Sequence, residues 1–333
     1  MLFSVIIPAK NASQTISTTL ESIIKQNNVN FEVIVVDDHS NDDTRTIVLD
    51  YSNHHECISY YLSTGDGVSV ARNMGIDLAH GDYLIFVDAD DQLEPNALRS
   101  FSQCISYNKR TLIIFSGYKR IAEDGTLIKR FSYEYVNGYG MKILPMYLNK
   151  RTYTHLGAFC FSKEFLLEKK IRFQNYDYAE DIVFVSQALF LAETVACLEQ
   201  ETYCWTLRKG SVLYSNTLHK FNGLHALAYL KKFFEEQGCQ EKDVHVAVGN
   251  HYAMLLLDTV TSLLWMGRTI NEINQEIDNV VNWGIIPKFI DQSKRIRKDM
   301  FFLKYFRLLY LKYCKKYYVP HNFRKKGIKS YER

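Results

Sequence analysis

The sequence predicts an α/β protein with a mostly parallel sheet and a helical C-terminal appendage, on three observations. Short apolar runs rich in β-branched and aromatic residues alternate with helix-patterned stretches over residues 1–100, as right-handed crossovers require. Two of those runs stop on paired carboxylates, Asp37/Asp38 and Asp88/Asp90, and in such Rossmann-like sheets ligands lie at the carboxyl ends of the strands. From Phe221 onward the apolar pattern turns helical.

Residues 3–7 read as a first strand, with Pro8, which lacks an N–H, at its end. In the loop AKNAS, Asn11 and Ser13 are placed to cap a helix that begins near Gln14 and repeats Ile16, Leu20, Ile23 and Ile24 at helical spacing. Residues 31–36 form a second strand, 44–51 a short helix and 58–62 a third strand. The loop STGDG leads into VSVARNMGIDLAHG, whose Val70, Met74, Ile76 and Leu78 suit a packed helix. Residues 83–87 then read as a strand buried on both faces, ending on Asp88, Asp90 and Asp91.

Three like charges at one strand end resist desolvation unless a cation or a donor-rich ligand sits among them. Asp88 and Asp90 face one way on extended backbone, and their oxygens suit Mg²⁺ or Mn²⁺. Alone, the tripeptide reads as an ordinary acidic loop; the second acidic pair on another strand places both around one crevice. Further on, residues 96–107 read as a helix, 111–116 as a strand, and Asp124-Gly125 as a hairpin turn. Residues 221–265 and 271–281 are helical in spacing, and Pro287 marks a break.

A chain of 333 residues with 47% hydrophobic content can bury a substantial core. Its net charge of +3 hides an asymmetry: residues 294–333 hold 14 Lys+Arg against 2 Asp+Glu, while residues 1–293 hold 26 against 35. The tail reads as a basic amphipathic helix on an anionic membrane face; a packed helix with a solvated basic side is the competing reading, and nucleic acid is not an expected partner. Seven cysteines without a CxxC pair predict reduced thiols in a cytoplasmic setting and no structural zinc. The N-terminus lacks the basic start of a signal peptide, and no run of 18 apolar residues predicts a membrane span.

The order SVIIPAKN, EVIVVDDHSNDDT and GVSVARNMGIDLAHGDYLIFVDADD resembles the family 2 glycosyltransferases, inverting enzymes of the GT-A fold that use nucleotide sugars. The resemblance implies a UDP-sugar donor, with Asp38 accepting from uracil and Pro8, Ala9 and Lys10 bordering base and ribose. It implies Arg72 and Asn73 in the nucleotide-sugar pocket, although Arg72 also fits a helix-start arginine paired with a nearby aspartate. Asp88 and Ala89 fall near ribose and phosphate, and Asp90, with Asp88, on a divalent metal, Mn²⁺ or Mg²⁺. The YAEDIVF stretch resembles the family's ED motif, which makes Asp181 the general base and Glu180 a positioning group. Both acids also fit the first turn of a helix over 182–192. ETYCWTLRKGS resembles a late R-x-x-S motif, with Arg208 and Ser211 as diphosphate ligands and His219 as a further metal or phosphate ligand.

The expected organisation is a catalytic domain over 1–218, its nucleotide half 1–100 and acceptor half 101–218, then a helical region over 219–333 with room for a homodimer contact. The expected activity is transfer of a hexosyl or N-acetylhexosaminyl group to a hydroxyl of a cell-surface glycan or lipid-linked acceptor (polysaccharide, capsule or lipooligosaccharide), at the inner face of the cell membrane. One alternative is an inactive, membrane-associated glycosyltransferase-like binding protein, which loss of Asp90 or Asp181 would mark; both are present. Another is a sugar nucleotidyltransferase, which would want a glycine-rich phosphate loop where PAKNAS stands.

Overall fold

The computed structural model describes residues 1–132, 137–149, 155–208, 218–287 and 294–318. The chain divides into two compact units, Met1–Asn175 with Glu180–Ser211, and Tyr176–Ala179 with Val212–Arg333.

The first unit is organised on β1 (Leu2–Ala9), whose Phe3, Val5, Ile6 and Ile7 are fully buried. Apolar residues in succession leave no polar face, so the strand sits inside a sheet with both faces covered. It pairs in parallel with β2 (Asn30–Asp37) and β4 (Tyr83–Phe86), and β2 pairs in parallel with β3 (Ile58–Leu62). The crossovers are α1 (Ile16–Ile24), α2 (Thr44–His54) and α3 (Val68–Leu78). Gly75 lets α3 close onto β1, where an added Cβ would meet Ile6 Cγ2 at 2.3 Å.

Pro8 lies inside β1, not after it, opposite Val36. Pairing with β4 ends at Ile6, so the side on which the missing N–H of Pro8 would point has no partner to lose it. Asn11 and Ser13 do not cap α1. Asn11 takes a left-handed conformation (φ 49) and accepts from Asn41 N–H at 2.8 Å, while Ser13 N–H donates to Asp42 at 3.0 Å. The two residues stitch the loop after β1 to the loop after β2, and α1 starts only at Ile16.

Beyond β4 the sheet is mixed, in the order β3-β2-β1-β4-β8-β6-β9-β5, with β5 (Gln92–Leu93), β6 (Ile113–Ala122), β8 (Phe159–Ser162) and β9 (Val195–Leu207). β6 runs past the expected stretch because it continues into a hairpin with β7 (Leu127–Phe131), turned at Gly125 (φ 81) with Asp124 accepting from Thr126 N–H. Helices α4 (Ala97–Tyr107), α5 (Gly140–Leu148), α6 (Lys163–Glu168) and α7 (Glu180–Leu191) complete this unit.

The second unit is helical: α8 (Asn222–Glu236), α9 (Lys242–Trp265), α10 (Ile270–Val280), α11 (Lys294–Tyr305) and α12 (Arg307–Tyr313). A capping box between Thr269 and Glu272 starts α10. The basic tail, expected as one helix, breaks at Phe306, where Arg307 pairs with Asp278 of α10 and fixes the start of α12. No described helix is long and apolar enough to cross a membrane. All seven cysteines are free thiols.

Candidate active site

Asp37 and Asp38 end up where β2 leaves the sheet, and both are well supplied with donors. Asp37 accepts from Ser40 N–H at 2.9 Å and from the Tyr60 hydroxyl at 2.8 Å. Asp38 meets Lys10 Nζ at 3.0 Å and accepts from Gly67 N–H at 3.0 Å. Burial alone would raise Asp38, but Lys10 and the Gly67 amide outweigh it and hold its carboxyl below the ordinary range. The Asp38 N–H donates to Ala9 O at 2.7 Å, so Pro8, Ala9 and Lys10 pass along the same corner. Next to it His39 is left-handed (φ 56), a conformation that a non-glycine residue keeps only where its surroundings impose it.

The three acids after β4 meet three environments. Asp91 is 1% exposed and accepts from Thr206 N–H at 2.7 Å and from the Tyr203 hydroxyl at 2.6 Å. Tyr203 Oη in turn accepts from Asp88 N–H, and β5 pairs with β9, so Asp91 clamps the acidic loop to β9. Burial, then Asp88 and Asp90, push its carboxyl well above the usual range. Asp88 lies 2.9 Å from Arg72 Nη2 and 3.9 Å from His155 Nε2; burial would raise it, and these two groups bring it below the usual value. Asp90 is pushed up to about 6 by burial and by Asp88, with Arg208 at 3.9 Å offsetting only part. The Ala89 carbonyl accepts from Thr19 Oγ1 at 3.0 Å.

Arg72, 4% exposed on α3, joins the two halves of the site. Its Nη1 lies 2.8 Å from Glu180 Oε1 and its guanidinium packs over the Phe173 ring at 5.2 Å. Asn73 exchanges two hydrogen bonds with the Phe173 backbone, at 2.8 and 2.9 Å, so its amide holds that segment in place. Glu180 and Asp181 occupy the first turn of α7 and also face this cluster. Burial and then Glu180 raise the Asp181 carboxyl to about 7, against the pull of Arg72. Asp88, Glu180 and Asp181 therefore gather around one guanidinium from positions up to 109 apart in the chain.

Several contributors escape sequence reasoning. His155, half-buried before a short 3-10 turn (Leu156–Ala158), stacks on Tyr203 (4.9 Å, 14°) and Trp205 (5.9 Å, 22°). Burial, with help from Arg72 and against Asp88, lowers its pKa, so the ring is neutral near pH 7. Gly157 makes room for Tyr203, since a Cβ there would lie 1.9 Å from the ring. The stretch THLGAFCFS signals a strand and a helix, but nothing in it marks the histidine. Arg208 Nη1 lies 3.9 Å from Asp90 Oδ2, whereas Ser211 and the side chain of His219 lie outside the described residues.

A sheet whose parallel strands end on two acid sets, with a third acid pair brought to the second of them, matches a known family. The family model described as glycosyl transferase family 2 aligns with residues 4–172. The chain belongs to that family. The uncharacterized glycosyltransferase YibD of Escherichia coli is 27% identical over 246 residues, covering 72% of this chain and 70% of that one. The amylovoran biosynthesis glycosyltransferase AmsB of Erwinia amylovora is 38% identical over 134 residues, 38% of this chain and 44% of AmsB. Against several such curated relatives the chain spans about half of their length. The crystal structure of S. aureus TarS 1–349 in complex with UDP-GlcNAc superposes with a TM-score of 0.68 at 20% identity, over 100% of this chain and 93% of that one. This likeness establishes the GT-A fold.

Proposed function

We propose that the protein transfers a hexosyl or N-acetylhexosaminyl group from a UDP-sugar, with inversion, to a hydroxyl of a cell-surface glycan or its lipid-linked precursor. The observation that carries this reading is the junction at Arg72, which brings the acids after β4 and the acids opening α7 to one guanidinium. AmsB is named for amylovoran biosynthesis and TarS was solved with UDP-GlcNAc, which supports both the acceptor class and the donor.

The steps follow from the side chains. Asp38, kept ionised, is acceptor-only and suits the imide N–H of uracil. In a sheet order of β2-β1-β4 the ends of β2 and β4 lie two strand spacings apart, about 10 Å, which a nucleoside diphosphate spans. The acceptor hydroxyl attacks the anomeric carbon as Asp181 takes its proton; the new O–C bond forms while the bond to the diphosphate breaks and UDP leaves. A carboxylate with a pKa near 7 is a stronger base than an ordinary one and is about half ionised at neutral pH. Arg208, 3.9 Å from Asp90, would meet phosphate oxygens of the donor.

The donor set also fits a divalent cation. Asp88 and Asp90 offer hard oxygens, His155 Nε2 faces Asp88, and the burial and the repulsion from Asp88 that raise Asp90 are what a cation would offset. Asp91 also has a ligand atom within 4.8 Å of those of Asp88 and His155, and its bonds from Tyr203 and Thr206 take one lone pair on each oxygen, so it too would be able to ligate the ion. When bound, the cation supplies charge neutralisation to the departing diphosphate.

Residues 294–318 expose Phe301, Tyr305, Leu308, Leu309 and Tyr313 beside Lys304 and Lys312. Apolar and cationic groups interleaved in this way suit an anionic bilayer surface and would hold the enzyme against a lipid-linked acceptor. Liposomes rich in anionic lipid should float the full chain and not one lacking residues 294–333; equal soluble fractions would exclude membrane attachment through the tail.

The activity is tested by incubating the protein with a panel of nucleotide sugars and Mn²⁺ or Mg²⁺ and measuring slow donor hydrolysis. Release of UDP from a UDP-sugar is expected. Hydrolysis confined to a donor with another base, or none across the panel, would overturn the assignment.

A further inference from the structure

Strands β7, β6 and β9 lie side by side, and their side chains alternate between two faces. On one face the cations meet acids: Lys119 pairs with Glu94, and Arg130 Nη1 lies 2.9 Å from Glu201. On the other face Arg120 stands directly opposite Lys129 in the ladder, and neither has a carboxylate within 4.0 Å among the described residues. Two like charges facing each other across a ladder repel.

Aromatic rings surround this pair. The Arg120 guanidinium lies 4.2 Å from the Trp205 ring and 5.3 Å from that of Phe131, and Lys129 Nζ lies 4.6 Å from the same Phe131 ring. Tyr118 stacks flat on Phe131, with centroids 4.4 Å apart and planes within 4°. Ring faces orient a guanidinium but accept none of its in-plane N–H donors. Arg120 Nε is buried with no hydrogen-bond partner among the described residues. The result is a partly desolvated cation beside an exposed one, neither with a carboxylate partner among the described residues. Trp205 stacks with His155, whose Nε2 is 3.9 Å from Asp88, so the face is continuous with the candidate active site.

We infer that this face is a subsite for an acidic glycan acceptor, one whose units carry carboxylates or phosphodiesters. Arg120 and Lys129 take the charge, Arg120 through its planar fork, and Phe131 and Trp205 supply the apolar wall against which sugar C–H groups pack. The inference rests on the transferase reading above, since it names the acceptor of that same site.

The test titrates the full chain by calorimetry with tetragalacturonate (carboxylates), a glycerol phosphate tetramer (phosphodiesters) and cellotetraose (neutral), and titrates UDP in parallel. At least one acidic oligomer should bind about tenfold or more tighter than cellotetraose, and the one that does identifies the source of the charge. Arg120→Met with Lys129→Met should erase that preference, and Arg120→Lys should retain part of it. Should the double variant fail to fold, Lys129→Met alone, at an exposed position, should still weaken the preference about threefold. Equal binding of all three oligomers, binding of none, or an undiminished preference in Lys129→Met and the double variant would overturn the subsite. A wild-type chain that fails to bind UDP would instead bring down the transferase reading, whatever the oligomers do.

Discussion

Asp38 at the end of β2 and Asp90 and Asp91 after β4 are chemically alike and electrostatically opposite, with Asp88, which burial would raise and Arg72 holds low, on the side of Asp38. Asp37 and Asp38 sit among donors from Ser40, Tyr60, Lys10 and Gly67, and Asp38 is lowered. Asp91, buried, and Asp90 and Asp181, half-buried, lie among other carboxylates with too few cations, and all three are raised. A compensated acid is a finished receptor that only has to be met by an N–H. An under-compensated cluster is unstable to charge and responds to whatever brings positive charge or takes up a proton, which is what a nucleotide-and-cation site and a general base require.

The contrast can be broken from the side of the raised acids first. Asp181→Asn removes the base and keeps the shape, so transfer should fall by about 10²–10⁴-fold while UDP affinity stays within about twofold; single-turnover transfer and calorimetry on the same sample separate the two. Asp90→Ala should abolish the metal-dependent part of UDP binding, about tenfold or more, equivalent to ~1.4 kcal/mol. Calorimetry with and without Mn²⁺ reads this, and an unchanged metal effect would remove Asp90 from the cation's ligands.

The compensated side should respond differently. Asp38→Asn replaces an acceptor-only group by one that can also donate, so the preference for UDP over CDP should shrink by about tenfold with no change in metal dependence. The smallest effect belongs to Asp42, which braces the same loop through Ser13 and Thr44: Asp42→Ala should cost about 1–2 kcal/mol of stability in denaturant titrations and leave transfer intact. Burial opposes ionisation of Asp42, but the Thr44 and Ser13 donors prevail and depress its carboxyl. Its contribution is therefore fully present above the ordinary carboxylate pKa and is lost as the pH falls through the depressed value, so the stability gap to the variant should narrow only on strong acidification.

How much of this was legible in the sequence follows the range of the interactions. β1 to β4, their crossovers and the two acidic strand ends are encoded locally, by runs such as FEVIVV and YLIFV and by where they stop. The hairpin at Asp124-Gly125 was equally local. The second half of the sheet was not, because β6 pairs with β9 across some 80 positions and periodicity carries no information about such a partner. The site divides in the same way. Asp38, Asp90 and Asp181 stand in motifs; the bond from Arg72 to Glu180, 108 positions away, the clamp made by Asp91 with Tyr203, and the His155 stack exist only once the chain is folded. The local cue at Pro8 misled, since a proline is tolerated within β1 once β4 has ended.

The pH dependence of kcat/KM for transfer, in the wild type and in Arg72→Met, bears most directly on the proposal that Asp181 is a base held high by its surroundings. Protonation disables a base, so activity should be lost as the pH falls, with a single-proton acid limb centred near 7. Removing the positive charge of Arg72 makes ionisation harder, and the limb should move to higher pH. A profile that stays flat down to about pH 5, where an ordinary carboxylate would still be ionised, or a limb that does not move in the variant, would contradict it.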